Sequence, residues 1–443
     1  MRRIALYLPL AATLLAWPTQ AAAQTPLSGL LTDLLIDNAR DVHVDPNGVN
    51  HASHFIEGSR TDAEVLANGF NGALIDTITA FPLGSSGGSY VFEGDPALGD
   101  FKPASRSFGS AFAERALTIG KHTVSVGVSF QRTHFTSFEG KDLKNGDVSF
   151  VFHHSNCCPA ANPGAYPSPA FEADEIRESV ALDITSQTTA LLFLYGVTSK
   201  LDVGVVVPIT SVSLDATAVA SFDRIGTGTN TTIHRFDDGD PNVHTTAASG
   251  SASGLGDIVL RAKYRVLPAK GGGLAAGIDL RLPSGDADNL LGLGTTQARV
   301  YGSVSTEAGP LFPHANISFA AGGTSSVTNE KLPKEFGYVV GTDAVAGRAT
   351  VSFDILGRRL SQTSRFHDVN VQDPVDTNGN FVTRSEFLLD TASLTQTYAI
   401  VGVKYPIASH LLVTGSAVFS LTDAGLRAKF TPMVGVEYVL TRH

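Results

Sequence analysis

The chain has 443 residues, of which 43% are hydrophobic and 17% are charged, and its formal net charge is −10. Since about a quarter of the residues of an average protein are charged, this chain is poor in charge. Its acidic balance argues against nucleic acid as a partner. The two cysteines, Cys157 and Cys158, are adjacent, which excludes the disulfide framework of small secreted domains.

The N-terminus has the pattern of a secretory signal peptide over residues 1–23. Arg2 and Arg3 supply a positive start, residues 4–17 are apolar, and Ala21–Ala23 offer a cleavage site of the A-x-A kind. No cysteine stands at that junction, so no lipid anchor is expected. We expect the mature chain to begin near Gln24 and to leave the cytoplasm.

The next segment, residues 24–114, differs from the rest of the chain. Leucines at helical spacing predict a short amphipathic helix over Leu27–Ala39. Further on, Ala73–Asp95 predicts two short strands around a Gly/Ser turn. No part of this segment continues the pattern that follows it.

From about residue 115 onward, apolar and polar residues alternate with a period of two. In the clearest case Val124, Val126, Val128 and Phe130 are separated by small or polar residues. Similar alternation begins at Leu274, Ala349, Ala399 and Val434, and it is typical of β-strands with one apolar face. After Gln24 no apolar run approaches the ~18 residues of a transmembrane helix.

The connections between these strands are short and long in strict alternation. Tight turns are predicted at 198–200, 267–272, 309–313, 344–347 and 406–410, and longer polar loops at 222–254, 284–296, 323–335 and 357–394. An outer-membrane barrel has short periplasmic turns and long external loops in this way.

The predicted fold class is therefore all-β: a transmembrane antiparallel β-barrel of about twelve strands, between ten and fourteen, over residues 115–443. Both termini are expected in the periplasm. Residues 24–114 would then plug the lumen, which we favour, dock below it, or form an extension that packs against nothing specific. The strands are predicted to begin near Leu117, Arg177, Leu201, Gly254, Gly273, Gln297, His314, Phe336, Arg348, Thr395, Leu411 and Leu426.

One ribbon fixes the orientation of the strands. Arg261, Lys263 and Arg265 alternate with apolar residues such as Leu260 and Tyr264, so the cations face the lumen and the apolar side chains face lipid. A shift of the strand register by one residue would turn all three cations towards lipid. This would cost about 6–12 kcal/mol, at ~2–4 kcal/mol for each cation near the membrane midplane. The alternative is a soluble β-sandwich with a solvated basic face.

The alternation assigns nine charged side chains to the lumen. Six are basic and three acidic, which favours anions or amphiphiles with an acidic head. They are Arg261, Lys263, Arg265, Asp279, Arg281, Arg348, Asp354, Lys404 and Glu437.

Several long phrases resemble one family of outer-membrane proteins. They include "YGVTSKLDVGVVVPI" (195–209), "GLGDIVLRAKYRV" (254–266) and "LRLPSGDADNLLGLGTTQ" (280–297), with further likeness over 107–131 and 425–440. The family is grouped under the meta-cleavage pathway of phenol degradation and is often labelled "transporter". The resemblance implies an outer-membrane β-barrel that moves hydrophobic or aromatic compounds, and it supplies no catalytic residues. One departure is Leu440, which stands where such barrels usually end on an aromatic residue.

Two clusters invite a metal interpretation. His153, His154, Cys157 and Cys158 lie close together, but their spacing is not that of a zinc site, and a loop thiol pair or a vicinal disulfide is favoured. The oxygen-rich stretch Asp373–Asn380 does not match the calcium-loop pattern, and an exposed Asn-Gly turn accounts for it. No metal and no cofactor are predicted.

An enzymatic function is not expected either. Ser129, Ser303 and His314 lie in predicted strands, but none belongs to a nucleophile-elbow sequence. The predicted function is an outer-membrane channel for passive passage of small, partly hydrophobic or aromatic compounds. Its expected partners are outer-membrane lipid, the barrel-assembly machinery and the small-molecule permeant. The alternative is a structural or adhesion barrel without a conducting path.

Overall fold

The structure, a computed structural model, describes residues 25–40, 42–43, 51–79, 91–95, 100–103, 105–155, 170–229, 231–237, 239–269, 271–374 and 381–441. The predicted signal peptide, Cys157, Cys158 and residues 375–380 of the oxygen-rich stretch lie outside these residues, so those interpretations remain predictions.

The described residues form two α-helices, a short 3-10 helix at Ala170–Ala173 and nineteen strands. The helices are α1 (Leu27–Arg40) and α2 (His51–Ile78). The strands are β1 (Phe92–Asp95), β2 (Asp100–Pro103), β3 (Thr123–Phe135), β4 (Ser137–Phe138), β5 (Lys141–Asp142), β6 (Val148–His153), β7 (Glu175–Gly196), β8 (Leu201–Asp223), β9 (Val243–Leu255), β10 (Val259–Ala269), β11 (Gly272–Arg281), β12 (Gln297–Ser305), β13 (Leu311–Gly322), β14 (Lys334–Ala346), β15 (Ala349–Pro374), β16 (Phe381–Ala408), β17 (Leu411–Ser420), β18 (Leu426–Arg427) and β19 (Phe430–Thr441).

Twelve of these strands pair in a closed antiparallel ring. In ring order they are β3, β7, β8, β10, β11, β12, β13, β14, β15, β16, β17 and β19. The ring closes where β19 pairs with β3, with Val436 opposite Val128 and Leu440 opposite Val124. Closure leaves no unpaired sheet edge in lipid. The predicted barrel of about twelve strands is confirmed.

The outer wall of the ring is apolar. Leu260, Tyr264, Ile278 and Val401 are exposed there, on the face that the alternation predicts. Aromatic residues cluster at both borders of the band: Phe319, Phe336, Phe419 and Phe430 at one, and Tyr264, Tyr405 and Tyr438 at the other. On β19 the two borders are eight residues apart, roughly 20 Å across the membrane at ~3.3 Å per residue and a strand tilt of ~40°. This is close to the ~25 Å band of outer-membrane barrels, so the protein is an outer-membrane barrel.

On the side of the long connections, the polarity of the strands inverts. Along β7 and β8 the inversion falls at the pair Thr188–Thr210. On the membrane side of this pair the outward residues are apolar, as at Phe193. Beyond it they are polar, as at Asp215, whereas inward residues such as Leu214 are buried. The strands therefore extend past the membrane into water with an apolar interior.

We call this part the extracellular extension: the distal halves of β7, β8, β15 and β16, together with β6 and β9. It explains two wrong predictions. The expected loop 222–254 contains β9, and the expected loop 357–394 is a hairpin in which β15 runs to Pro374 and β16 begins at Phe381 rather than near Thr395. Their polar outer faces lack the apolar period of the membrane strands, so they resembled loops.

The segment before the barrel is more helical than predicted. The helix expected over Leu27–Ala39 is confirmed as α1, Leu27–Arg40. The strand pair expected within Ala73–Asp95 is wrong in its first half, because Ala73–Ile78 continues α2 and buries Leu74, Ile75 and Ile78. The observed hairpin joins β1 to β2.

The two helices lie in the extracellular extension. One continuous apolar core joins Leu30 and Leu34 of α1, Phe55 and Phe70 of α2, and strand residues such as Leu214. At the start of α1, the backbone N–H groups of Leu27 and Ser28 donate hydrogen bonds to Asn289 and Asp288 in the long β11–β12 connection. The expectation that this end of the described chain lies in the periplasm is therefore wrong. Neither described helix is long and apolar enough to cross a membrane.

Candidate functional site

Residues 105–122, which we call the inner segment, run along the inner wall of the barrel near the short turns. The backbone N–H of Glu114 donates to Asn316 Oδ1 at 2.7 Å, and Asn316 Nδ2 donates to the Glu114 carbonyl at 2.7 Å. Ile119 N–H donates to Asp202 at 3.1 Å, and Lys404 Nζ donates to the Phe108 carbonyl at 3.3 Å. The inner segment is thus bonded to inward side chains of three strands.

A buried histidine joins two more strands to this segment. His314 of β13 lies 3.2 Å from Asp343 of β14 through Nδ1 and 2.5 Å from Asp354 of β15 through Nε2. Ser107 and Ser110 of the inner segment donate to the same two carboxylates. Asp354 was assigned to the lumen from the sequence, but its partners come from separate parts of the chain, so spacing could not reveal them.

The basic ribbon of β10 also meets the inner segment. Arg261 binds Asp279 of β11 through Nε and Nη2, both at 3.2 Å. Glu114 lies 3.7 Å from Arg261 and 3.6 Å from Lys263. Arg265 donates to the carbonyl of Gly272 at 2.8 Å. All three cations are therefore mostly buried inside the ring, and Glu114 faces two of them.

Two other residues assigned to the lumen also have partners inside the ring, and one assigned residue is elsewhere. Glu437 accepts a hydrogen bond from Ser125 at 2.8 Å, and Arg281 donates to the carbonyl of Thr79. Arg348 lies instead in the exposed β14–β15 turn, where it donates to the Pro406 carbonyl at 3.3 Å. The assignment of Arg348 to the lumen is thus corrected: the chain reverses there, and the alternation of β15 begins at the next residue.

Above the inner segment lies a cavity of about 130 Å³, which is smaller than the ~300–1,000 Å³ of most small-molecule sites. Four arginines and three carboxylates line it, so these side chains sum to one positive charge. They are Arg261, Arg281, Arg299, Arg358, Glu114, Asp279 and Glu335. We call this the charged cavity.

Aromatic and apolar side chains complete the charged cavity. Tyr301 lies flat against the wall over Gly277, where an added Cβ would come within 2.2 Å of the ring, and Arg299 lies over the same ring at 5.2 Å. Phe112 of the inner segment also lines the cavity. Sequence reasoning missed Arg299, although it alternates with apolar neighbours in β12, and it missed Arg358, which lay in a predicted loop.

A second, apolar pocket lies in the extracellular extension. It is small, with a volume of about 10 Å³, and is bounded by α1, α2, β6 and β7. Its lining includes Leu31, Leu35, Phe70, Phe150 and Leu182. We call this the apolar pocket.

The C-terminal end of α2 contacts the wall of the charged cavity. Arg358 donates to the Asp76 carbonyl at 3.4 Å, and Arg281 donates to the Thr79 carbonyl. Both arginines line the charged cavity, whereas Phe70, two turns earlier on α2, lines the apolar pocket. One helix therefore lines the apolar pocket, and its C-terminal end is bonded to two residues that line the charged cavity.

Comparison with solved structures finds matches at low identity and low TM-score. A Pseudomonas aeruginosa FadL homologue is 11% identical, with 83% of this chain and 96% of that chain covered and a TM-score of 0.30. The Ralstonia pickettii toluene transporter TbuX is 13% identical, with 74% and 91% covered and a TM-score of 0.26. The translocator domain of autotransporter NalP from Neisseria meningitidis is 8% identical, with 72% and 88% covered and a TM-score of 0.28. No residue correspondence follows from superpositions this loose.

No curated protein matches the chain. A sequence model of one family does match, and its description is "Putative MetA-pathway of phenol degradation". The match covers residues 177–351, from the start of β7 to the start of β15. The resemblance noted in the sequence is confirmed over this segment.

Proposed function

We propose that this protein is a non-enzymatic channel for the passive uptake of small, partly hydrophobic or aromatic compounds across the outer membrane. A permeant would enter the apolar pocket, pass the C-terminal end of α2 and reach the charged cavity. The observation that carries the proposal is that α2 lines the apolar pocket with Phe70, while its C-terminal end is bonded to Arg281 and Arg358 of the charged cavity.

Residues 24–114 would act as the plug of a barrel formed by residues 115–443. The apolar core between the helices and the extension supports this role, as do the bonds from residues 105–114 to inward side chains. Passage then requires these contacts to rearrange. The barrel-assembly machinery and a small-molecule permeant are the partners that this function implies.

The charged cavity favours a permeant with an aromatic body and an acidic group. Arginine binds carboxylates through paired hydrogen bonds and stacks on aromatic rings, and arginines outnumber carboxylates by four to three in the lining. Deprotonated phenols and aromatic carboxylates have this chemistry, and the family description names phenol degradation.

Flux through such a channel would follow the gradient of the permeant. The outer membrane offers no nucleotide supply, and the sequence has no G-x-x-x-x-G-K-[ST] motif. The competing function is a structural or adhesion barrel in which the inner charges pair off. Pairs such as Arg261–Asp279 fit both functions, whereas a cavity whose lining arginines bond to the end of α2 favours passage.

The test compares the full mature chain with a variant that lacks Thr25–Gly109, both in planar bilayers and in liposomes loaded for uptake. The deletion should enlarge the conductance without preventing barrel assembly, and the full chain should pass benzoate faster than an uncharged sugar of similar size. An assembled deletion variant that conducts nothing would favour the structural barrel.

A further inference from the structure

Three side chains outside the uptake path meet on the extracellular extension: His153 of β6, Glu175 of β7 and Glu386 of β16. One nitrogen or oxygen of each lies within 4.8 Å of the others. His153 Nδ1 is 2.9 Å from Glu175 Oε1, and its Nε2 is 3.6 Å from Glu386 Oε2. The imidazole therefore stands between two carboxylates from different strands.

Both carboxylates are deeply buried and incompletely bonded. Glu175 and Glu386 are each only 3% exposed. Within the described part of the chain, Glu175 Oε2 and Glu386 Oε1 have no hydrogen-bond partner. Burying a carboxylate is unfavourable unless it is paired or coordinates a metal. Two such oxygens beside one imidazole indicate a ligand from outside the described part of the chain.

The neighbouring cations do not supply that ligand. Arg177 Nε lies 3.0 Å from Asp223, and Arg384 Nη1 binds the same carboxylate. The two carboxylates bring two negative charges to the cluster, and a divalent ion would balance both of them.

We propose that His153, Glu175 and Glu386 bind a divalent transition-metal ion, with Zn²⁺ as the best match. Zinc binds imidazole nitrogen and carboxylate oxygen, and a site with three protein ligands leaves a fourth position for water. Calcium and magnesium prefer a larger set of oxygen ligands. The half-exposed side chain of His153 gives an ion from the medium access to the buried carboxylates.

The bound ion would connect β16 with β6 and β7 in the extracellular extension. In the described residues β6 is paired with β7 alone, and β16 is paired with β15 and β17. Glu386 therefore reaches the other two ligands across strands that share no backbone pairing. A metal at this site would fasten the β15–β16 hairpin to β6 and β7. The sequence analysis singled out His153 only in a cluster with His154, Cys157 and Cys158, and it missed Glu386, which lay in a predicted loop.

The test uses the full mature chain in detergent with Cys157 and Cys158 both replaced by serine, which removes the thiols as competing zinc ligands. Zn²⁺ is titrated by calorimetry, and Co²⁺ is followed by its visible absorption. Glu386→Gln keeps the size of the side chain and removes its charge, and His153→Gln is a second variant. His134→Ala is the matched control, since His134 of β3 lies 3.4 Å from the single carboxylate of Asp183 and outside the proposed site. The heat-dependent gel shift verifies that each variant is folded.

We expect one ion per chain in the parent. Glu386→Gln and His153→Gln should each weaken Zn²⁺ binding by at least about tenfold, the lower end of the effect of altering a metal site's surroundings, and should remove the Co²⁺ band. The His134→Ala variant should bind as the parent does. No saturable Zn²⁺ binding by the folded parent, or equal affinity for the parent and folded Glu386→Gln, would overturn the site and leave an ion-pair cluster.

Discussion

Arg281 of β11 donates a hydrogen bond from its guanidinium to the carbonyl of Thr79, the residue that follows α2. Arg358 of β15 does the same to the Asp76 carbonyl, one turn earlier. The C-terminal end of a helix carries a partial negative charge and unpaired carbonyls, so two cations there stabilise it. The same two guanidinium groups line the charged cavity. The position of α2 and the electrostatics of the proposed path are thus coupled through two side chains.

Replacing either arginine should therefore release the end of α2. A cation at a helix C-terminus contributes about 1 kcal/mol to holding the helix in place. Because the position of α2 closes the proposed path, each of Arg281→Ala and Arg358→Ala should raise the fraction of time that the channel is open roughly fivefold. Single-channel recording separates this effect on opening frequency from any change in amplitude.

Arg359→Ala is the matched control for this prediction. Arg359 is the next residue of β15, but it is exposed and donates to Ser393 instead. Its variant should open as often as the parent, and an equal response of all three variants would disprove the coupling.

Glu114→Gln should make the channel more selective for anions. Glu114 faces Arg261 and Lys263, and removing its charge changes the sum of the cavity lining from +1, four arginines minus three carboxylates, to +2. A ring of positive charge favours anions. The reversal potential under a salt gradient measures the shift. Asp215→Asn, on the exposed outer face of β8, is the control, and an unchanged potential in Glu114→Gln would place Glu114 off the path.

His314→Gln should destabilise the barrel without changing its outer face. The imidazole contacts two buried carboxylates, Asp343 and Asp354, and breaking a buried ion pair costs about 3–5 kcal/mol. Urea unfolding in lipid bilayers measures the loss. His122→Asn, which removes an exposed ring bonded to Tyr195 and keeps a residue type that tolerates the positive φ of this position, should change stability by less than about 0.5 kcal/mol. Equal losses in the two variants would mean that the His314 network contributes little.

The membrane strands could be predicted from the sequence because their two faces differ in a simple way. The starts at Leu201, Gln297 and Leu411 are as predicted, since apolar residues face lipid and polar residues face the interior on those strands. In the extracellular extension the polarity is reversed, so β9 and the distal halves of β15 and β16 were taken for loops.

The site was predicted less completely than the fold. The inward orientation of Arg261 and Asp279 followed from the register, but their partner Glu114 is far away in the chain. Contacts between a strand and an inner segment have no fixed spacing, so a period of two cannot reveal them. The assignment of Arg348 to the lumen was wrong for a different reason, because the alternation of β15 was extended by one residue into the preceding turn.

The inversion of polarity itself can be tested with a pair of arginine substitutions on outward positions. Val434 is 57% exposed and lies midway between Phe430 and Tyr438 on β19, so Val434→Arg should lower the free energy of unfolding by about 2–4 kcal/mol in a bilayer. Ser213 points outward on β8 beyond the Thr188–Thr210 pair, where water replaces lipid. Ser213→Arg should then change the same quantity by less than about 0.5 kcal/mol. Urea unfolding of both variants in the same bilayer gives the comparison, and a similar cost at both positions would mean that lipid covers the distal strands as well.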